Sequence, residues 1–419
     1  MIATVCTALL CATAPQAAAL APDEGTPQTS GNEWAQWRGP TRDGRFHGPA
    51  WPAELKLRTA WRMDGLGPSY ASPVVTADRV FTVATEDEAH EVVIAVDRAS
   101  GEEVWRASWE GAMKVPFFAA RNGSWIRSSP AYDGESLYVA GIRDVLACLD
   151  AATGEVRWTV DFVEREGSPL PQFGFVCSPL VVGDHVYVQA GASFVKLDKA
   201  TGETVWRTLD QGEGGGLDSS FSSPVLAEVG GREQLLVQTR TDLTGVAPEN
   251  GDVLWSMPVK TFRGMNILTP LLYGDGIFTA PYGGRAQLLQ LESGDDGLSV
   301  SQAWTNRAQG YMTSPVLVGD HVYLFLRSNR FACVDLRTGE DAWISEPTGD
   351  SYWSLVAQGD RILALADTGI LRLIQATPEG YRVLGEREVL DDETWAHLAA
   401  AGDQLFVRGL DTLLALEWE

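Results

Sequence analysis

The sequence predicts an all-β fold, an eight-bladed β-propeller of four-stranded antiparallel blades. Three observations carry that expectation. A turn phrase of the form Asp-x-x-Ser/Thr-Gly-Glu-x-x-Trp recurs along the chain. A Ser/Thr-Pro phrase opens each unit, and a Gly-Asp hairpin signal follows it. The step between successive turn glycines, from Gly101 through Gly154, Gly202, Gly251 and Gly297 to Gly339, stays between 42 and 53 residues. A repeat of forty to fifty residues holding four short strands has the period of a propeller blade.

The turn phrase stands at Asp97–Trp105, Asp150–Trp158, Asp198–Trp206 and Asp335–Trp343. Looser copies are Pro248–Trp255 and Glu292–Gly297 followed by Trp304. A strand ends at the Asp, whose carboxylate caps the backbone two residues on. The Gly takes the positive-φ position, and the next strand carries the Trp on its inner face. These acids lack the D-x-[DN]-x-[DN]-G spacing of a calcium loop. Openings stand at Ser72, Ser129, Ser178, Ser223, Thr269 and Ser314, each followed by Pro. The hairpins Gly359-Asp360 and Gly402-Asp403 place two more openings, five residues back, at Ser354 and His397. The count is therefore eight. No Trp-Asp dipeptide occurs, which separates the repeat from the WD40 type.

The eighth unit, opening at His397 and ending with Asp411–Glu419, lacks its outer strand. Leu55–Arg62, with Trp61, resembles the Trp strand of the other units and lies upstream of the first opening. The expectation is that it completes the last blade, closes the ring and removes an open sheet edge. The chain then divides into an export signal at 1–21, a lead-in at 22–54 and the propeller at 55–419. Residues 1–21 carry no charge, are rich in Ala and Leu, and offer small residues at Ala17, Ala19 and Ala21 for cleavage. Cys11 follows Leu9-Leu10 rather than a small residue, so no lipid anchor is expected there. No later stretch reaches membrane-span length. The expected location is periplasmic or extracellular.

Acids outnumber bases 56 to 32, a formal charge of −24. Nucleic acid and anionic lipid surfaces are repelled by such a chain. Cys148, Cys177 and Cys333 fall in separate units and read as buried, unpaired thiols. His185 and His321 fall in equivalent hairpins, where exposure is expected, and no histidine shows metal spacing. Gly212–Gly216 lacks the Gly-Lys-Ser/Thr ending of a phosphate loop and reads as a connection. Neither a catalytic set nor a metal site is expected.

The loops before the openings are the most varied part of the repeat. Two residues before each opening stand Tyr70, Arg127, Val176, Phe221, Ile267, Met312, Tyr352 and Trp395. In register they form one layer around the axis, either a binding rim or a plug packed against itself. His397, in place of a hydroxyl residue, is expected beside that layer. The candidate rim is thus Tyr70, Arg127, Phe221, Met312, Tyr352, Trp395 and His397.

The Ser-Pro opening, the Asp-x-x-Thr-Gly-Glu-x-x-Trp turn and the eightfold count resemble the PQQ-type β-propeller repeat family. That family includes quinoprotein dehydrogenases and BamB-like exported propellers of the bacterial envelope. The lead-in Trp34-Ala-Gln-Trp37-Arg-Gly-Pro40-Thr-Arg-Asp43-Gly44 is similar to that of PQQ-binding-like repeat proteins. The resemblance covers about residues 34–419 and implies a non-catalytic scaffold with a protein partner in the envelope. Its other branch implies a PQQ-dependent oxidoreductase using Ca²⁺, and the aromatic mouth leaves a carbohydrate- or polymer-binding propeller as a further alternative. The adjacent cysteine pair of the quinoprotein alcohol dehydrogenases is absent here, so neither PQQ nor Ca²⁺ is expected as a cofactor.

Overall fold

The computed structural model describes residues 31–117, 119–120, 123–211, 220–294 and 297–419. The expected export signal at 1–21, Cys11 and the glycine run at 212–216 lie outside the described residues. Eight four-stranded antiparallel sheets follow one another along the chain. Blades 1 to 7 span 74–110, 131–161, 180–208, 225–258, 271–306, 316–344 and 353–388. Blade 8 combines Ala399–Ala401, Gln404–Arg408 and Thr412–Trp418 with the N-terminal strand Leu57–Asp64. That strand pairs antiparallel with Thr412–Trp418 from Leu57↔Trp418 to Asp64↔Thr412, through a bulge between Thr59 and Trp61. The ring is closed by its two ends.

Each blade reads from the axis outwards. The second and third strands are buried throughout, as in Val80–Thr85 and Glu91–Val96 of blade 1. The outer strand alternates, as in Glu103–Glu110. The inner strands of neighbouring blades pack face to face, so the core is a set of apolar layers between blades.

The repeated Trp does its packing between blades rather than on the inner face of its own. Trp61 of blade 8 lies on Gly101 of blade 1 and donates to the Arg98 carbonyl at 2.8 Å. Trp105 and Trp158 reach the Ala151 and Lys199 carbonyls of the next blade in the same way. Gly101 has φ +76°, and a Cβ there would stand 2.6 Å from the Trp61 ring. Glycine is therefore required twice over, by the turn and by the indole from the neighbouring blade. Asp97 Oδ1 accepts from the amides of Ala99 and Ser100, so the aspartate caps the turn as a turn residue should.

Blade 5 departs from the repeat. Ala286–Gly294 and Gly297–Asn306 run on as one long hairpin, with Gly294 opposite Gly297. Gly297 is therefore not the counterpart of the other turn glycines. Trp255 of blade 4 consequently finds no glycine in its neighbour and donates to Gln234 Oε1 of its own blade at 2.6 Å. One short helix, Phe162–Glu166, follows blade 2, capped by Asp161 and ended by Gly167 in the left-handed region. Cys148, Cys177 and Cys333 are free and buried. His185 and His321 are half-buried rather than exposed, because each ring packs along its hairpin, His321 facing Asp335 at 4.0 Å.

Candidate functional site

The site is assembled by the openings. At four junctions the hydroxyl of an opening Ser accepts the amide of the opening one blade earlier. Ser129 Oγ takes Ser72 N at 2.9 Å, Ser178 Oγ takes Ser129 N at 3.0 Å, and Ser223 Oγ takes Ser178 N at 2.9 Å. Ser314 Oγ takes Thr269 N at 3.0 Å. These bonds fix the blades in phase at the axis, so residues two positions before each opening arrive at one level. All eight, Tyr70, Arg127, Val176, Phe221, Ile267, Met312, Tyr352 and Trp395, line one cavity of ≈ 890 Å³ open at the mouth. Trp37, Phe173, Met265 and the opening serines Ser178, Ser223 and Ser314 complete it, and no lining residue is acidic.

Two aromatic rails border the cavity. Tyr352 stacks on Trp395 at 5.2 Å, Trp395 meets Tyr70 at 5.8 Å, and Tyr70 meets Trp125 edge-on at 5.3 Å. Across the mouth Phe173 and Phe221 are 5.4 Å apart, with the Arg240 guanidinium 4.7 Å over Phe221. Burial holds the Tyr70 and Tyr352 hydroxyls protonated far above their usual range. Arg127 donates to the Gly123 and Trp125 carbonyls, and burial lowers its pKa to about 10, so it stays charged at neutral pH. Among the described residues it forms no ion pair.

The floor is the lead-in, which runs under the cavity and touches seven blades. Trp34 bridges Val75 of blade 1, and Ala35 accepts from Tyr132 of blade 2. Arg42 donates to the Ser178 and Pro179 carbonyls at the start of blade 3. Trp37 Nε1 reaches Thr269 Oγ1 before blade 5 at 2.9 Å, and Arg38 reaches the Pro315 carbonyl before blade 6. Gly44 and Phe46 pair with Ala357 of blade 7, and Gly31 accepts from Gly402 of blade 8. Gly39 lets the chain turn beneath Trp34, where a Cβ would stand 2.8 Å from the indole at φ +85°. Arg38 and Arg42 are fully enclosed, and burial lowers each to about 10.

His397 is not on the cavity. It lies behind Trp37, with ring centroids 5.3 Å apart, and beside Trp34. Nδ1 donates to the Leu398 carbonyl at 2.8 Å, which fixes the tautomer, and burial together with the Arg38 charge drives its pKa down to about 3. A base whose folded pKa is depressed contributes stability that is complete above pH 6.5 and is lost as pH falls toward 3. Between pH 6.5 and 4 the wild type should therefore lose on the order of 3 kcal/mol more than His397→Gln. Urea titrations across that range check this, and parallel curves would refute it.

The openings' register pointed to the lining residues. The buried arginines of the lead-in gave a weaker signal, two guanidiniums in a short segment of Trp, Gly and Pro that has no strand period. Among the described residues no three His, Cys, Asp or Glu side chains gather at a metal-holding distance.

Fold, repeat and axial mouth together define an eight-bladed propeller built from PQQ-type repeats. The family model described as outer membrane protein assembly factor BamB matches residues 89–345, and the chain belongs to that family. The outer membrane protein assembly factor BamB of Shewanella oneidensis is 24% identical over 366 residues, covering 84% of this chain and 86% of that protein. Among solved structures, BamB of Moraxella catarrhalis superposes with a TM-score of 0.63 at 15% identity, over 87% of this chain and 98% of that one. The quinohemoprotein alcohol dehydrogenase of Comamonas testosteroni reaches 0.68 at 14% identity, over 93% of this chain and 81% of that one. At those identities the structural likeness is one of fold. No helix among the described residues is long and apolar enough to cross a membrane.

Proposed function

We propose that this protein is an exported, non-catalytic propeller that serves as a protein-interaction scaffold in the bacterial cell envelope, in the manner of an outer-membrane assembly factor. The observation that carries the reading is the mouth. Side chains from all eight blades converge there, aromatic, aliphatic or thioether except for the cation Arg127 and three serines, with no acid-base pair. Such a surface offers large, pre-ordered aromatic area, the composition from which interface hot spots are built. Family membership supports the assembly setting, since the relatives bear that name.

The test is site-specific photo-crosslinking from Trp395 and Tyr352 in envelope extracts. One discrete partner is expected, and Trp395→Ala should weaken it by about 2 kcal/mol, roughly thirtyfold, as truncation of a central aromatic anchor does. A parallel titration with PQQ and Ca²⁺, followed by dye-linked alcohol oxidation, addresses the enzyme reading. Saturable binding with turnover, and no crosslinked partner, would overturn the scaffold.

A further inference from the structure

The chain carries −24 overall, yet one sector of its mouth face is cationic. Lys260, Arg263, Arg285, Arg307 and Arg327 are all exposed, and among the described residues none of them forms an ion pair. Elsewhere several exposed or half-exposed bases rest on carboxylates: Arg62 on Asp391, Arg106 on Glu86, Arg157 on Asp150, Arg337 on Asp335. Among the described residues Arg45, Lys114, Arg143, Arg165, Arg232, Arg382 and Arg387 are also exposed without an ion pair, but they are scattered over the ring, whereas these five cations gather in one sector.

They form one surface across blades 4 to 6. Lys260 and Arg285 line a single depression with Gly283, Gly284 and Gln287. Gly284 packs on the Lys260 carbonyl so closely that a Cβ would stand 2.2 Å from it. Ala286 N donates to the Ala308 carbonyl at 2.9 Å, which keeps Arg285 beside Arg307. Phe262 N donates to the Tyr282 carbonyl at 2.8 Å, and their rings meet at 5.6 Å. Tyr311 lies 5.0 Å from Tyr282. The Arg327 guanidinium sits 4.5 Å over Tyr282, and that of Arg263 sits 5.4 Å over Phe262. The rings therefore hold two of the guanidiniums in place while leaving their donors free. Met265 and Met312, just inside this sector, line the mouth cavity, so the two surfaces are continuous. Across the ring the equivalent turn of blade 1 is Glu86-Asp87-Glu88.

Beyond a Debye length of about 8 Å the net charge is largely screened, and within it the gathered cations of this sector attract anions. A partner approaching the mouth is therefore oriented by charge before any apolar contact forms. We propose that the sector of Lys260, Arg263, Arg285, Arg307 and Arg327 receives an acidic polypeptide segment of the partner. This rests on the scaffold reading and names the chemistry that the scaffold recognises.

The probe is a fluorescently labelled Asp/Glu-rich peptide, titrated against the full chain by anisotropy. Saturable, salt-sensitive binding is expected, weakened at least tenfold by the double substitution Lys260→Glu/Arg285→Glu. Arg232→Glu changes an exposed base at the hairpin on the opposite face and should leave the affinity unchanged. Equal loss with Arg232→Glu, or equal binding of a neutral peptide of the same length, overturns the proposal. So does binding confined to phosphatidylglycerol vesicles, or self-association in sedimentation that Lys260→Glu/Arg285→Glu abolishes. The crosslinked partner separates the two claims. If it still forms at Trp395 with unchanged affinity in Lys260→Glu/Arg285→Glu, the cationic sector is excluded and the scaffold stands. If the wild type captures none, the scaffold itself falls.

Discussion

A chain beginning at Gly65 is expected to show no cooperative thermal transition. It lacks both the strand that closes blade 8 and the lead-in that spans the ring. The strand supplies a ladder from Leu57↔Trp418 to Asp64↔Thr412. It also supplies Trp61, buried against Gly101 and Phe406. Removing a Trp of this kind costs about 3–5 kcal/mol, and each lost ladder bond about 1 kcal/mol more. The lead-in adds Trp34, Arg38 and Arg42, all buried. Together these losses match the whole stability of an ordinary domain, about 5–15 kcal/mol. The freed edge of Thr412–Trp418 would also pair with other chains. Differential scanning calorimetry and near-ultraviolet circular dichroism read the result. A sharp, unshifted transition would mean that neither element closes the ring. Trp61→Ala alone should give the graded version, a loss of about 3–5 kcal/mol with the fold retained.

The second large effect is expected at Asp350, before blade 7. Its Oδ2 accepts Trp353 Nε1 at 2.8 Å and Arg372 Nη1 at 2.9 Å, and Thr368 Oγ1 reaches its Oδ1 at 3.0 Å. The side chains of Asp350 and Arg372 are 4% and 8% exposed, so solvent cannot replace a lost partner. Asp350→Ala leaves a buried guanidinium that retains only Glu386, together with an unpaired indole N–H and hydroxyl. Removing one partner of such a pair costs about 3–5 kcal/mol. Asp350→Asn keeps the size and an acceptor and should cost less. Urea denaturation with an unchanged slope would locate the loss in the native state. A midpoint equal to wild type for Asp350→Ala would refute the assignment.

Much of the fold was legible before any coordinate. Each blade is written locally, by a Ser-Pro opening, a Gly-Asp hairpin and an Asp-to-Gly turn. Such signals act over a few residues and survive without knowledge of neighbours. The position of the lining layer was legible for the same reason, because the repeat gives every blade the same phase. The repeat misled at Gly297, where the sequence of a turn is present but the strands continue past it. It also misled for the Trp, which belongs to its own strand in sequence and to the next blade in space.

The sequence by itself therefore determined the all-β class, the eight blades, the closure of the last blade by a strand at about Leu55–Arg62, and the unpaired cysteines. Only the tertiary structure decided what fills the axis and where charge collects. The lead-in carries no strand period, so nothing local says that Arg42 reaches blade 3 and Arg38 blade 6. His397 occupies an opening position yet lies behind Trp37, because a ring of its size packs where a hydroxyl would bond. Lys260 and Arg327 are 67 residues apart in sequence. They share a face because each follows a strand of a different blade to the same end of the ring, a proximity created by ring closure and absent from any window of the chain.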